Sequence, residues 1–413
     1  NQLNKEIRDS LIPINNQIKP YPVSKSYNLN SEIFLFLNNE IKKFKNIIIF
    51  PDGPLNTMPI HALPVEEKED CNDCKNITFN LEKNLFNYYP SVGSFVALDK
   101  ISEDFKKTKY LISNKDIKEF TSKTLSALDE KTNLKPLTFL KNKIKKPINN
   151  IKNKISKDNK KDTKNSNYTF YLGIGDPDLY GKTKKKFKSK HEKIKMLRSA
   201  FSNKKIDKSL IKEIYGPVEG SADEINQVVN YLQPLKSDIF LRDNAKESNL
   251  KSLKLNTYRI IHFATHGEVS GAIEGINEPF LVMSPPDSLS KEDGLLTMSE
   301  IMMLETNAKL VILSACNTGS GDEVGSAGFS GLAKSFFMSG SKSILVSNWY
   351  VETNASKDLV INLFENFKND PDLKISESLR KSMIKLKNKS TKSHPFYWAP
   401  FVLVGKDNVL NLK

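Results

Sequence analysis

Six runs along this chain are apolar at consecutive positions rather than at every second one: "NIIIF" (46–50), "TFYLGIG" (169–175), "RIIHFAT" (259–265), "LVILSA" (310–315), "SILVSNW" (343–349) and "PFVLVG" (400–405). A strand with one wet face alternates, so an unbroken apolar run reads as a strand buried on both faces. "SDIFLRD" (237–243) reads as a further strand, and "NIIIFPDG" (46–53) as a short buried one ended by a turn. Between the strands lie stretches with helical character: "GSADEINQVVNYL" (220–232), "NAKESNLKSLKL" (244–255), "FSGLAKSFFMSG" (329–340) and "ASKDLVINLFENF" (355–367). In the first of these Ser221 stands as N-cap with Glu224 three residues on, the pattern of a capping box. The alternation predicts an α/β fold with a mostly parallel sheet flanked by helices.

Composition narrows the classes. The chain has 413 residues, enough for two ordinary domains or one large one with insertions. It contains no run of 18 apolar residues and no charged-then-apolar start, which predicts no membrane association and a cytoplasmic location. It begins at Asn1 rather than Met, as a trimmed or partial chain would. Its three cysteines, Cys71, Cys74 and Cys316, are too few for a disulfide framework. The net charge of +15 is concentrated: residues 141–195 hold 18 lysines, no arginine and five acids. Within that window "KNKIKKPINNIKNKISKDNKKDTKNSN" (141–167) and "GKTKKKFKSKHEKIK" (181–195) carry little apolar surface and read as a solvated insertion or linker. Nucleic acid would be met only indirectly or through this insertion, since it has no arginine and Phe187 is its single aromatic.

Functional side chains of a parallel sheet gather beyond the carboxyl ends of its strands. Two runs end on reactive groups, "RIIHFATHG" at His266 and "LVILSACNTGSG" at Cys316. If those strands are neighbours, about 5 Å apart, imidazole and thiol come within reach. An imidazole beside a thiol stabilises the thiolate and then protonates the leaving amine. Gly267 lets the backbone approach a substrate, and its N–H with that of Cys316 is suited to hold an oxyanion. Other groups read less sharply. His262 and His266 share a four-residue spacing, but on a strand that is about 13 Å, too far for one metal ion, so His262 is a packed strand histidine. Cys71 and Cys74 make half a zinc knuckle with no second pair in the chain, and read chiefly as part of a polar loop. "GIGDPDLYG" (173–181) is followed by a lysine-rich tail rather than a helix, which argues against a phosphate loop.

Four ordered motifs, "FPDGPLNTMPIHALP", "HFATHG", "LVILSACNTGSG" and "GFSGLAKSFFMSGSKSILVSNWYV", together resemble the CHAT family, caspase-like cysteine peptidase domains akin to separases and often found behind tetratricopeptide repeats. The resemblance covers about residues 30–405 outside the lysine-rich stretches. It implies a caspase-like fold with residues 1–140 as an N-terminal non-catalytic half, 141–167 as the insertion and 168–413 as the catalytic domain. It further implies a His266–Cys316 dyad, cleavage of a protein substrate without metal or cofactor, and control by a regulatory protein or an upstream repeat or sensor region. Many relatives carry paired acids after the tryptophan, where separases read a basic P1 side chain. Here "NWYVETN" offers Trp349 as an apolar wall and Glu352 followed by Thr353, so the pair is reduced to one acid, with Asp322 and Glu323 as nearby substitutes. The expected P1 is therefore a weakly preferred Arg or Lys, or an apolar residue. The rival reading is a non-catalytic scaffold whose basic insertion binds polyanions.

Overall fold

Odd and even side chains of each central strand are claimed by two different cores, which is why those runs are apolar without alternation. The computed structural model describes residues 2–13, 17–34, 41, 43–51, 55, 58–100, 169–179, 215–268, 278–286, 290, 292–314, 331–349 and 351–412. Cys316, Asp322, Glu323 and both lysine-rich stretches lie outside these residues. The chain divides into two compact units, Asn1–Asp99 with Tyr168–Lys413, and Lys100–Asn167, and every described strand belongs to the first.

The strands are β1 (Asn46–Ile49), β2 (Leu85–Tyr88), β3 (Thr169–Pro177), β4 (Ser237–Arg242), β5 (Tyr258–Ala264), β6 (Gly267–Glu268), β7 (Phe280–Val282), β8 (Leu295–Thr297), β9 (Leu310–Leu313), β10 (Ser343–Ser347) and β11 (Phe401–Gly405). Eight of them form one sheet in the order β1-β2-β11-β10-β9-β5-β3-β4, parallel throughout except between β10 and β11. This is the mostly parallel, helix-flanked sheet expected of a caspase-like fold. The N-terminal segment joins that same sheet through β1 and β2. The short strand β1 is not buried as its composition suggests: it is the sheet's edge, paired to β2 alone, and Ile48 is 42% exposed. A second, antiparallel sheet of β6, β7 and β8 follows His266. Its strands, two or three residues long, are too short to show a periodicity.

The described helices are α1 (Gln2–Ser10), α2 (Val23–Phe34), α3 (Asn80–Lys83), α4 (Val92–Lys100), α5 (Ser221–Leu232), α6 (Glu247–Ser252), α7 (Met298–Met303), α8 (Gly331–Met338), α9 (Thr353–Asn369), α10 (Ile375–Lys387) and α11 (Pro395–Trp398). Ile260, Leu310, Ile312, Leu345 and Leu403 point into a core shared with α5, α9, α10 and α11. Their neighbours Ile261, Val311, Leu313, Ile344 and Val402 point into the other, shared with α6, α7, α8 and the small sheet. The glycines of "GIGDP" belong to packing: a Cβ on Gly173 would stand 2.7 Å from Ile225 Cγ2 and one on Gly175 2.6 Å from Ile225 Cδ1. Glycine at both positions is what lets α5 lie directly on β3.

Cys71 and Cys74 do not form a simple polar loop of free thiols. They are joined in a disulfide with Cα atoms 5.2 Å apart, and Cys74 is fully buried. A three-residue separation already meets the geometric requirement, so no larger framework is needed. Around it Cys71 exchanges two backbone hydrogen bonds with Tyr21, and Cys74 N–H donates to Ser393 Oγ.

At the small sheet, Glu247, Glu292 and Glu300 converge on Lys251. Burial alone would lower the Lys251 pKa, but its bonds to Glu292, Glu300 and Glu247 hold it raised. One ammonium then faces three carboxylates, and Glu247, the most buried, bears the excess: burial first, then Glu300, push its pKa up to about 7. The folded state thus holds this proton more tightly than the unfolded one. Its contribution to stability is present below pH 4.5 and lost as pH rises through about 7. Glu247→Gln, which keeps an acceptor for Gly294 N–H, is expected to raise stability at pH 8 by about 1–3 kcal/mol and to leave it unchanged at pH 4. Urea unfolding of both proteins at the two pH values measures this. Destabilisation at pH 8 that fades at pH 4 would show that the acid is needed charged.

Candidate active site

His266 stands two residues past β5, where the chain leaves the large sheet for the small one. Val282 N–H donates to the His266 carbonyl at 2.8 Å, and the hydroxyl of Thr265 donates to the Val282 carbonyl, so the backbone on both sides of the ring is anchored. The imidazole is half-buried against Tyr215, ring centroids 5.5 Å apart. Its Nε2 lies 3.2 Å from the carbonyl oxygen of Gly216. A carbonyl only accepts, so Nε2 carries the hydrogen, and in the neutral ring the basic lone pair is on Nδ1. Gly216 has φ +63°, a left-handed conformation that favours glycine.

The strands that lead to His266 and Cys316 are neighbours. β5 and β9 pair in parallel with Phe263 opposite Leu313, and Ser314 N–H donates to the Phe263 carbonyl at 3.0 Å. Cys316, two residues beyond Ser314 in sequence, lies outside the described residues.

A cavity of about 240 Å³ opens beside the ring, lined by His266, Glu219, Ser221, Glu224, Ser314 and Val351 among others. Here the capping-box reading is corrected. Gly220, in the left-handed region, is the N-cap of α5, and Ser221 is the helix's first residue. Its hydroxyl accepts from Asp176 N–H and donates to the Val218 carbonyl. Glu224 is thereby freed from the cap and turns inward, 4% exposed.

Glu224 sits on a buried network. Ser314 Oγ donates to the Phe263 carbonyl, so it accepts from His262 Nε2 at 3.0 Å, and Nδ1 of that ring accepts from the Tyr171 hydroxyl at 2.7 Å. Both nitrogens of His262 are therefore taken. Glu224 Oε1 lies 2.9 Å from Nε2, yet it accepts no hydrogen bond. Ser314, His262 and Glu224 have the composition of a catalytic triad without its geometry, because serine and acid approach the same ring nitrogen. His262 is fully buried and is a packing residue, as its place on the strand implied.

The other expected site residues have these positions. Gly267 is half-buried in β6 opposite Leu281. Trp349 is 6% exposed in the core, its Nε1 donating to the Phe396 carbonyl. Glu352 is the N-cap of α9: its carboxylate accepts from Asn354 N–H at 3.0 Å and Ala355 N–H at 2.8 Å, and lies 3.9 Å from Lys392 Nζ. Its neighbours Val351 and Thr353 line the cavity. Among the described residues no helix is long and apolar enough to cross a membrane.

Over 231 residues the chain is 27% identical to tetratricopeptide repeat protein 28 of Mus musculus and 26% identical to its Homo sapiens counterpart. The match covers 48% of this chain but only 9% of either relative, so the chain spans about a tenth of their length. Among solved structures, the Saccharomyces cerevisiae separase–securin complex aligns with a TM-score of 0.30 and 15% identity, over 45% of this chain and 11% of that one. The complex of Porphyromonas gingivalis RgpB pro- and mature domains aligns with a TM-score of 0.43 and 10% identity, over 94% and 70%. A family model for the CHAT domain matches residues 28–406, from α2 past the last strand of the large sheet, and the chain belongs to the CHAT domain family.

Proposed function

We propose that the chain is a cysteine endopeptidase in which His266 and Cys316 act as a dyad, with residues 168–413 as the catalytic part and 1–140 as a non-catalytic half. The observation that carries the reading is the imidazole of His266, held by the Gly216 carbonyl at the mouth of a cavity, on a strand whose parallel neighbour runs on to Cys316. His266 Nδ1 takes the thiol proton, and the thiolate adds to the scissile carbonyl carbon. The resulting oxyanion is met by the N–H groups of Gly267 and Cys316. As the C–N bond breaks, the imidazolium returns its proton to the leaving amine. Water, deprotonated by the same ring, then hydrolyses the thioester. The membership of a family found with repeat domains supports control by a partner or an attached sensor region.

Alkylation tests the nucleophile. With Cys71 and Cys74 joined, iodoacetamide under non-reducing conditions is expected to add once per chain, at Cys316, and to abolish peptide cleavage. Cys316→Ala is expected to be inactive and unlabelled. Cleavage that survives in Cys316→Ala rules the dyad out.

A further inference from the structure

Within residues 67–76 every side chain is exposed except the two joined cysteines: Cys71 is half-buried and Cys74 is 0% exposed. The bond can therefore be reached from the Cys71 side alone. A bridge across a separation of three residues removes little entropy from the unfolded chain, so it adds little as a staple of the whole fold. Its action is local. Cys74 N–H donates to Ser393 Oγ at 2.9 Å, and that hydroxyl donates to Asp73 Oδ1 at 2.6 Å, so the turn closed by the bond is keyed to one fully buried serine. The Ser393 carbonyl in turn accepts from Trp398 Nε1 at 2.8 Å, and the Phe396 carbonyl accepts from Trp349 Nε1 at 3.3 Å. Both tryptophans of the chain thus rest on the segment that the disulfide turn holds. An open pair has a place for its buried thiol as well, since the Cys71 carbonyl oxygen lies 3.3 Å from Cys74 Sγ and can accept its hydrogen.

We propose that Cys71 and Cys74 are a site of reversible thiol–disulfide exchange with a dithiol, and that opening the bond releases the turn from Ser393 and loosens the segment at α11 on which Trp349 and Trp398 rest. A thiolate of the dithiol attacks Cys71 Sγ, the Sγ–Sγ bond breaks, and Cys74 leaves as a thiolate that takes a proton from solvent, since burial favours the neutral thiol. The second thiol of the reductant loses its proton, attacks its own sulfur in the mixed disulfide and frees Cys71, which is protonated in turn. Two electrons and two protons pass to the protein, and the reductant departs as a disulfide. The proposal is independent of the endopeptidase reading, because neither His266 nor Cys316 takes part.

The test treats the folded full chain with dithiothreitol, without denaturant, and follows maleimide uptake by mass beside hydrogen exchange of residues 71–76 and 393–398. Cys316→Ala, treated alike, leaves Cys71 and Cys74 as the only sites to label. Before reduction that variant is expected to take up no maleimide; after it, one label enters at Cys71 and a second follows more slowly at Cys74. Exchange in both segments is expected to quicken by at least about tenfold on reduction and to return when oxidised dithiothreitol is added. Cys71→Ser is expected to exchange like the reduced wild type and to ignore the reductant. A bond that stays closed until urea unfolds the chain overturns the proposal, as does a pair that opens while exchange at 393–398 is unchanged. Two thiols already free in the untreated variant overturn it as well.

Discussion

His266→Ala is expected to lower kcat/KM for peptide cleavage by about 10²–10⁴-fold, the range that a positioned general acid–base contributes. Two duties are lost together, withdrawal of the thiol proton and its return to the leaving amine. The ring is half-buried and its loss leaves the buried Gly216 carbonyl without that donor, so the cost to folding should be about 1–3 kcal/mol. Turnover of a fluorogenic peptide measured beside a thermal melt separates the two effects. A variant that keeps more than a tenth of wild-type activity would remove His266 from the chemistry.

The second large effect is on acid stability. His61 and His394 are both buried, and burial pushes each pKa down to about 4, with the accepting carbonyls of Ala399 and Lys19 opposing only in part. In each ring Nε2 faces a carbonyl and so carries the hydrogen: His61 toward Ala399 and His394 toward Lys19. The second nitrogen of each faces a donor, the Tyr88 hydroxyl or Phe396 N–H. At His394 a second proton has no place to bond, since Phe396 N–H only donates; at His61 it would have to reverse the Tyr88 hydroxyl. The unfolded chain takes that proton near pH 6.5, so stability is lost as pH falls from about 6.5 to about 4, by about 3 kcal/mol for each histidine. Glu247 opposes this with one group against two. Against a typical total of about 5–15 kcal/mol the loss is large. Urea midpoints recorded from pH 7 to pH 4 should fall steeply in the wild type and less steeply in His61→Gln. A flat wild-type profile would contradict the burial of both rings.

The expected strands of the large sheet were legible because two cores claim alternate side chains, which leaves an apolar signature whatever lies above or below. His266 was legible as well, as a reactive group placed where a buried run stops. The C-terminal helix α10 has its apolar residues Ile375, Leu379, Met383 and Leu386 at helical spacing, yet it is not among the expected elements; lysines between those positions mask the stripe. β1 was legible as a strand but not as an edge, since exposure depends on what the chain brings alongside.

Glu224 is the sharpest case of a residue whose placement sequence could not show. The pattern Ser-x-x-Glu is satisfied locally by a capping box, and helix-cap energies of about 1 kcal/mol make that the default. Two glycines on β3 bring α5 within contact of the strand, and Ser221 is drawn to the backbone of Asp176, which turns the glutamate into the interior instead. Similarly, Glu352 looks like a free acid in sequence, but the helix that begins at Thr353 takes its carboxylate as a cap. Local composition by itself determined the sheet, its parallel sense and the strand end at His266, because burial on both faces acts residue by residue. Which carboxylate turns into the interior and which caps a helix was decided only by the tertiary structure, because both carboxylates compete for the same kinds of N–H donor and only the packing of α5 on β3 and of α9 beside the cavity sets which donors each can reach.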